Sequence, residues 1–449
     1  MDNENIKSND SLVQHLKNAI RDKTAKVCVI GLGYVGLPLA VEKAKVGFKV
    51  LGIDQNTSRV SMLNSGLNYI QDVKDEELRI LVEKKTLAAV NDFSVLLGQD
   101  IIIICVPTPL NEYHEPDLSY VESVTKEISK NLRKGQMIIL ESTTYPGTTQ
   151  EVILPLLEST GLKAGEDFFL ANSPERVDPG NKRYTTKNTT KVVGGVTHKC
   201  LEVAQLFYAQ TILNVVPVSS PTVAEMTKVF ENTYRAVNIA LVNELMMLCN
   251  KMGISVWEVV EAAATKPFGI QTFYPGPGVG GHCIPIDPFY LSWKARQYDY
   301  STRFIDLAGE INIQVSNYVV DKVVKALNMS RKPVNGSKVF VLGIAYKRDI
   351  NDYRESPALK IMKKLKSEGA ELVFYDPYIK SMPSSDGVAI EADWVDLSEE
   401  ELRKSDCVLI ITDHSNIDYE MVVRESIIVV DSRNATKNVI SGREKIILV

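Results

Sequence analysis

The sequence is poor in the features that commit a chain to disulfides, a metal, a membrane or nucleic acid. Its six cysteines (28, 105, 200, 249, 283 and 407) are scattered, with no C-x-x-C pair and no ligand-like spacing. That argues against a disulfide framework and against a zinc site, so no metal is expected, and it fits a reducing cytoplasm. The five histidines are equally dispersed, and only His282 stands in a suggestive place. No block of lysine and arginine occurs and the net charge is −5, so no nucleic-acid partner is expected. The longest apolar runs, such as 101–106, are strand-sized and far short of a bilayer, so no membrane span is expected. The opening MDNENIKSNDSLVQHLKNAIRDK has no unbroken apolar core and does not read as a signal peptide. Residues 1–24 read as a polar tail, frayed or folded as a short surface helix.

What is present is an ordinary globular composition, 45% hydrophobic and 24% charged, over 449 residues. That length exceeds one core and divides into about three domains of roughly 150 residues each. The pattern places them at 25–212, 213–330 and 331–449. In the first, the apolar run KVCVI (26–30) leads into Gly31-Leu-Gly33-Tyr34-Val35-Gly36 and then a helical pattern. A second strand, 49–53, ends in Asp54 about twenty residues after the glycines begin. G-x-G-x-x-G is weak evidence alone, but strand before, helix after and an acid closing the second strand are the context a dinucleotide site needs. One glycine permits the turn, one lets a pyrophosphate approach the backbone, and one lets helix and strand pack closely. Asp54 is expected to accept hydrogen bonds from the adenosine ribose and repel a 2′-phosphate, which favours NAD over NADP. Arg59 can instead cover the adenine or neutralise such a phosphate.

Strands and helices then alternate, which implies a parallel doubly wound sheet. Strand 101–106 runs into Pro107-Thr108-Pro109, strand 137–140 into Glu141-Ser142-Thr143-Thr144-Tyr145-Pro146, and strand 168–170 toward Ser173-Pro174-Glu175-Arg176. Ligands in such sheets sit beyond the carboxyl ends of the strands, where Thr108, Thr143, Thr144 and Glu175 all fall. From Pro221 the period becomes helical up to Gly253, and Lys228 and Asn232, four apart, share one face. A long helix over 303–327 carries the stripe Leu307, Ile311, Val315 and Val319 and reads as a dimer element, so a homodimer or higher homo-oligomer is expected. After the linker 332–336 the strand–helix alternation restarts without G-x-G-x-x-G. This second Rossmann-like unit suits a nucleotide portion of a substrate better than a dinucleotide. The expected class is α/β, two Rossmann-like doubly wound parallel-sheet domains joined by a central helical domain with a long helix.

Within the central region, YPGPGVGGHCIPIDPFY (274–290) sets Cys283 behind Gly276, Gly278, Gly280 and Gly281. Glycines allow positive φ and close approach, and the surrounding prolines make a shaped, ordered loop. Asp287, four residues past the thiol, can share one cavity with it. The alternative is a tight interdomain turn with a buried structural cysteine.

In order along the chain, GLGYVG, VPTP, ESTTYPGTT, NSPERVDPG, AEMTKVFENTYR, GPGVGGHCIPIDP and YKRDINDYRESP closely resemble the UDP-glucose/GDP-mannose dehydrogenase family, from about residue 25 to about 435. The resemblance implies an NAD-binding domain, a helical middle that dimerises and a C-terminal domain that helps hold the nucleotide sugar. It also implies two successive NAD-dependent oxidations of a sugar C6 alcohol to a carboxylate. It makes Cys283 the nucleophile, Lys228 and Asn232 the pair that stabilises the oxyanion, and Asp287 an aid to proton transfer. Glu175 would direct the hydrolytic water, and one of Thr143 and Thr144 is implied in catalysis. Tyr34, Val35 and Arg354 would lie on the cofactor side. Arg176, Tyr274, Gly276, Gly280, Lys347 and Arg433 would hold the UDP-sugar. The family's UDP-glucose enzymes have serine before the cysteine and lysine before the aspartate, where this chain has His282 and Ile286. No arginine stands in 267–281 either. These departures look like the subset acting on UDP-N-acetylhexosamines, in the supply of surface-polysaccharide precursors. Rivals are a UDP-glucose enzyme, a single-step β-hydroxyacid-type dehydrogenase and a silent NAD-binding subunit.

Overall fold

Short, almost wholly apolar runs become the interior strands of two sheets, because only a strand covered on both faces can hide every side chain. In the computed structural model the described residues are 2–449 apart from 71, 114, 179, 180, 182, 282, 283 and 383–389, with backbone alone for 2–10. Two units result, Met1–Glu231 with Trp293–Asp299, and Asn232–Ser292 with Tyr300–Val449.

The first unit is built on Lys26–Ile30 (β1), Lys49–Ile53 (β2), Leu87–Val90 (β3), Ile101–Ile104 (β4), Met137–Leu140 (β5), Phe169–Asn172 (β6), Lys191–Gly195 (β7) and Val215–Val218 (β8). Their order across the sheet is β3-β2-β1-β4-β5-β6-β7-β8. The alternation of a strand sends Val27, Val29, Ile101, Ile103 and Ile139 into one core with helices Gly36–Lys45 and His198–Tyr208. Cys28, Ile30, Ile102, Ile104 and Ile138 enter the other, with helix Ser119–Lys130. One junction departs from the all-parallel expectation: β7 runs antiparallel to β6, pairing Ala171 with Gly195 and Asn172 with Gly194.

The opening segment, read as a tail or a short helix, is a helix over Asp2–Arg21. Val13, Leu16 and Ile20, spaced three and four apart, are buried in the first core, so a polar composition conceals one narrow apolar stripe.

In the second unit the sheet is Lys338–Leu342 (β9), Glu371–Tyr375 (β10), Asp393–Trp394 (β11), Cys407–Ile410 (β12), Val429–Asp431 (β13) and Ile446–Leu448 (β14), ordered β11-β10-β9-β12-β13-β14 and parallel throughout. Helix Pro357–Ser367 covers Val339 and Val341 together with the long helix Arg303–Met329. That long helix carries its stripe later than its spacing suggested. Val315, Val319, Val323 and Leu327 are buried, whereas Leu307 is 52% exposed, because the core it serves ends near Val315. Helix Pro221–Met252 stops at Gly253, whose φ of 72° no β-carbon residue adopts cheaply. No helix among the described residues is long and apolar enough to cross a membrane.

Candidate active site

The turn after β1 is fixed by contact with the chain itself. A β-carbon on Gly31, at φ 93°, would lie 2.4 Å from the Cys105 carbonyl oxygen, and one on Gly36 would lie 1.8 Å from that of Gly31. Gly33 differs, since a β-carbon there would meet nothing within 4 Å. Residues 31 and 36 therefore let strand and helix close up, while residue 33 leaves the space a pyrophosphate fills. Tyr34 and Val35 complete the turn into helix Gly36–Lys45. Asp54 takes the Leu32 N–H on Oδ2 at 2.9 Å and the Asn56 N–H on Oδ1 at 2.8 Å, which leaves each oxygen a lone pair for a ribose hydroxyl. Arg59 Nη1 lies 3.5 Å from Asp54, so the two form an ion pair at the rim. This donor set and the open ground at Gly33 fit NAD.

Beyond the next strands, the Thr108 hydroxyl donates to the Thr143 carbonyl at 2.6 Å and ties the ends of β4 and β5 together. Thr144 is buried, and its Oγ1 has no hydrogen-bond partner among the described residues. Glu175 Oε1 accepts the N–H groups of Arg176 and Val177, at 2.8 and 2.7 Å, and Oε2 accepts Lys191 Nζ at 3.2 Å. Burial alone would raise the Glu175 carboxyl, but Lys191 and the two amides outweigh it and hold the group below its ordinary range. Arg176 does not present itself to a ligand. Its guanidinium is forked onto Glu231 at 3.1 and 2.5 Å and donates to the Thr190 carbonyl at 2.6 Å. Lys191, Glu141 and Tyr208, all buried around Glu175, escaped the sequence reading. A lysine opening an apolar strand was their only local signal.

Helix Pro221–Met252 carries Lys228 and Asn232 one turn apart, both buried. Lys228 has no ion pair among the described residues of its own unit. In the second unit the Asn232 amide donates to Asp287 Oδ2 at 2.6 Å, and Asp287, 1% exposed, opens helix Asp287–Arg296. His282 and Cys283 lie outside the described residues. At Gly276 and Gly280 the close approach foreseen for a ligand is made by protein. A β-carbon on Gly276 would sit 2.5 Å from Arg433 Nη1, and one on Gly280 would sit 2.6 Å from Tyr346 Cβ. Asn243 accepts the Gly276 N–H at 3.0 Å, and Gly281 donates to the Arg354 carbonyl at 3.0 Å. Tyr274 stacks on Trp257. Arg433 donates to the Ile411 carbonyl at 3.1 Å and has no carboxylate ion pair among the described residues of its unit. Burial and the nearby Arg348 pull it down to about 10, still a cation at neutral pH and suited to an anionic group. Arg354 is forked onto Asp352, and Lys347 stands in the connection after β9.

The second sheet repeats the first in one respect. Asp376, just past β10, accepts the Ile344 and Ala345 N–H groups as Asp54 accepts that of Leu32. Asp376 also accepts from Tyr378 and Ile379 and faces His414 Nε2 at 3.1 Å with no exposure, so its carboxylate is closed to a ribose.

A dinucleotide cradle on one doubly wound sheet, with a helical region and a second such sheet whose acid is sealed, is the architecture of an NAD-dependent oxidoreductase. The chain belongs to the UDP-glucose/GDP-mannose dehydrogenase family, whose NAD binding, central and UDP binding domains match residues 25–212, 222–314 and 340–438. It is 38% identical over 361 residues to the UDP-N-acetyl-D-glucosamine 6-dehydrogenase of Pseudomonas aeruginosa, covering 80% of this chain and 84% of that one. With the UDP-N-acetyl-D-mannosamine dehydrogenase of Pyrococcus horikoshii it shares 34% identity over 420 residues, 92% and 96% of the two chains. The solved structure of the UDP-D-ManNAc dehydrogenase from Pyrococcus horikoshii superposes with a TM-score of 0.84 at 33% identity, covering 94% of this chain and 98% of that one.

Proposed function

We propose that the chain oxidises the C6 hydroxyl of a UDP-N-acetylhexosamine to the uronic acid in two steps, with Cys283 as covalent catalyst, and so supplies a surface-polysaccharide precursor. The observation that carries this reading is the buried Asn232–Asp287 hydrogen bond, which joins an amide on helix Pro221–Met252 to the carboxylate four residues past the thiol in sequence. NAD, which Gly31, Gly33, Gly36 and Asp54 would hold, would supply the hydride acceptor for each oxidation. Lys228 and Asn232 stabilise the charge that develops on the sugar oxygen in both steps. An aldehyde must first become tetrahedral before it can be oxidised, and the Cys283 thiolate supplies that carbon–sulfur bond. Thr144 contributes its hydroxyl, which has no partner among the described residues, and Arg433 and Lys347 hold the UDP portion. His282 and Ile286, and the N-acetylhexosamine substrates that the relatives' names give, support this substrate class.

We assign residues 25–212 to NAD, 213–330 to the central catalytic domain and 331–449 to UDP. Phe304, Leu307 and Ile313, exposed on helix Arg303–Met329, support a second copy of the chain packing there.

The test is a panel of UDP-sugars with reduced cofactor counted per sugar. An N-acetylated sugar should be turned over at least about tenfold better than UDP-glucose, a difference of about 1.4 kcal/mol in transition-state binding. Two equivalents of NADH should form per sugar, and Cys283→Ser should stall after the first. One equivalent in the wild type would refute covalent catalysis, and equal rates on both sugars would refute the substrate class.

A further inference from the structure

The first unit contains a chain of buried polar groups that this reaction scheme does not employ. Because β7 runs against β6, it begins where β6 ends, and its first residue reaches the rim where the parallel strands deliver their ligand-facing loops. That residue is Lys191, 5% exposed, with Nζ 2.7 Å from Glu141 Oε2 and 3.2 Å from Glu175 Oε2. Glu141, wholly buried at the end of β5, accepts the Tyr208 O–H on its other oxygen at 2.5 Å. With two backbone amides on Oε1 and the ammonium on Oε2, Glu175 has three of its roughly four acceptor positions filled.

We propose that Lys191 is a positioning residue for the hydrolytic step: it fixes the Glu175 carboxylate and leaves it one lone pair with which to orient the hydrolytic water. The inference rests on the proposed covalent catalysis by Cys283, whose second oxidation leaves a thioester, and on the role in directing the hydrolytic water that the family resemblance implies for Glu175. In that step the water oxygen bonds to C6, the carbon–sulfur bond breaks, and sulfur departs as the thiolate. One water proton passes to Glu175 and on to solvent, and the new acid loses its other proton to solvent.

The surroundings leave this task to Lys191. Arg176, the adjacent cation, is turned onto Glu231, and Lys43 is held by the Phe207 carbonyl and the Thr211 hydroxyl. Burial pushes the Cys105 thiol and the Tyr208 phenol up, so both stay neutral. Burial also raises Glu141, the more so for the nearby Glu175, while Lys191 opposes the rise. A purely structural role would be to neutralise Glu141, and that role can be removed separately.

The test compares Lys191→Met/Glu141→Gln, which takes out the ammonium and its buried counter-charge together, with Glu141→Gln and Glu175→Gln. Readouts are KM, the kcat–pH profile and the mass of the acid-quenched enzyme. The double variant should keep the UDP-sugar KM, lose about tenfold or more in kcat, shift the acid limb of kcat to higher pH and accumulate the thioester adduct. Glu141→Gln, which keeps Lys191 on Glu175, should retain the wild-type acid limb. Lys191→Arg should also retain that limb, and it gives an answer if the double variant does not fold. Wild-type hydrolysis in the double variant, or an acid limb displaced equally in Glu141→Gln, would overturn the assignment. If Glu175→Gln itself hydrolyses normally, the reading of Glu175 fails and the assignment falls with it. A slow Glu175→Gln beside a normal double variant sinks the assignment alone.

Discussion

Glu225 offers a stability test that depends on burial more than on any ligand. It stands on helix Pro221–Met252, 2% exposed, and its carboxylate accepts the Gly147 N–H at 2.6 Å, the Thr149 N–H at 2.9 Å and the Thr149 hydroxyl at 2.6 Å. Burial outweighs the three donors, which oppose the rise, and pushes the carboxyl up to about 7 from an ordinary 4.5. An acid whose folded pKa is raised stabilises fully below its unfolded pKa, and that contribution is lost as pH rises through the folded value. A shift of this size corresponds to about 3 kcal/mol, of which about 2 kcal/mol falls between pH 5.5 and 8.5. For a unit of this length that is a fall in Tm of about 4–8 °C. Glu225→Gln cannot ionise, so its Tm should decline less across that window than the wild type's when both are followed by calorimetry. The Gln amide sits among donors, so the variant starts lower, and the slope carries the result. Parallel slopes would show that Glu225 titrates as an ordinary surface acid and that its burial costs the folded state nothing.

Asp54→Ala should narrow the kcat/KM preference for NAD over NADP by about tenfold, since it removes the ribose acceptor. A wild type that prefers NADP would show that Arg59 decides the cofactor. Gly36→Ala should weaken NAD binding by about tenfold or more and lower stability by about 1–3 kcal/mol, because its new carbon overlaps the Gly31 carbonyl. Unchanged NAD affinity in a titration would contradict the contact. Thr144→Val should lower kcat while leaving stability equal or higher, since the buried hydroxyl it removes has no partner among the described residues. Intact turnover together with a lower Tm would make that hydroxyl structural.

Local chemistry was the legible part of this molecule. Gly31, Gly33, Gly36 and Asp54 lie within one strand–turn–helix–strand unit, so spacing alone placed the cradle. Lys228 with Asn232 followed from helical period in the same way. What spacing could not show depended on partners distant in the chain. Arg176 looked ready for substrate until Glu231 claimed it. The stripe on helix Arg303–Met329 was displaced because its extent is set by a sheet that starts at Lys338. Lys191 owes its position to one reversed strand, and KVVGG contains no mark of the direction in which it will pair.

The contact between Gly276 and Arg433 bears on how such a sequence can drift. Residue 276 has no side chain because the guanidinium of residue 433 occupies the place where one would begin. A larger residue at 276 would therefore displace the Arg433 guanidinium from its present place, and the two positions are expected to change together. Replacing the loop with that of a relative would import half of a matched set, so transplants that exchange both positions together should keep the residue 433 side chain in place where single exchanges move it.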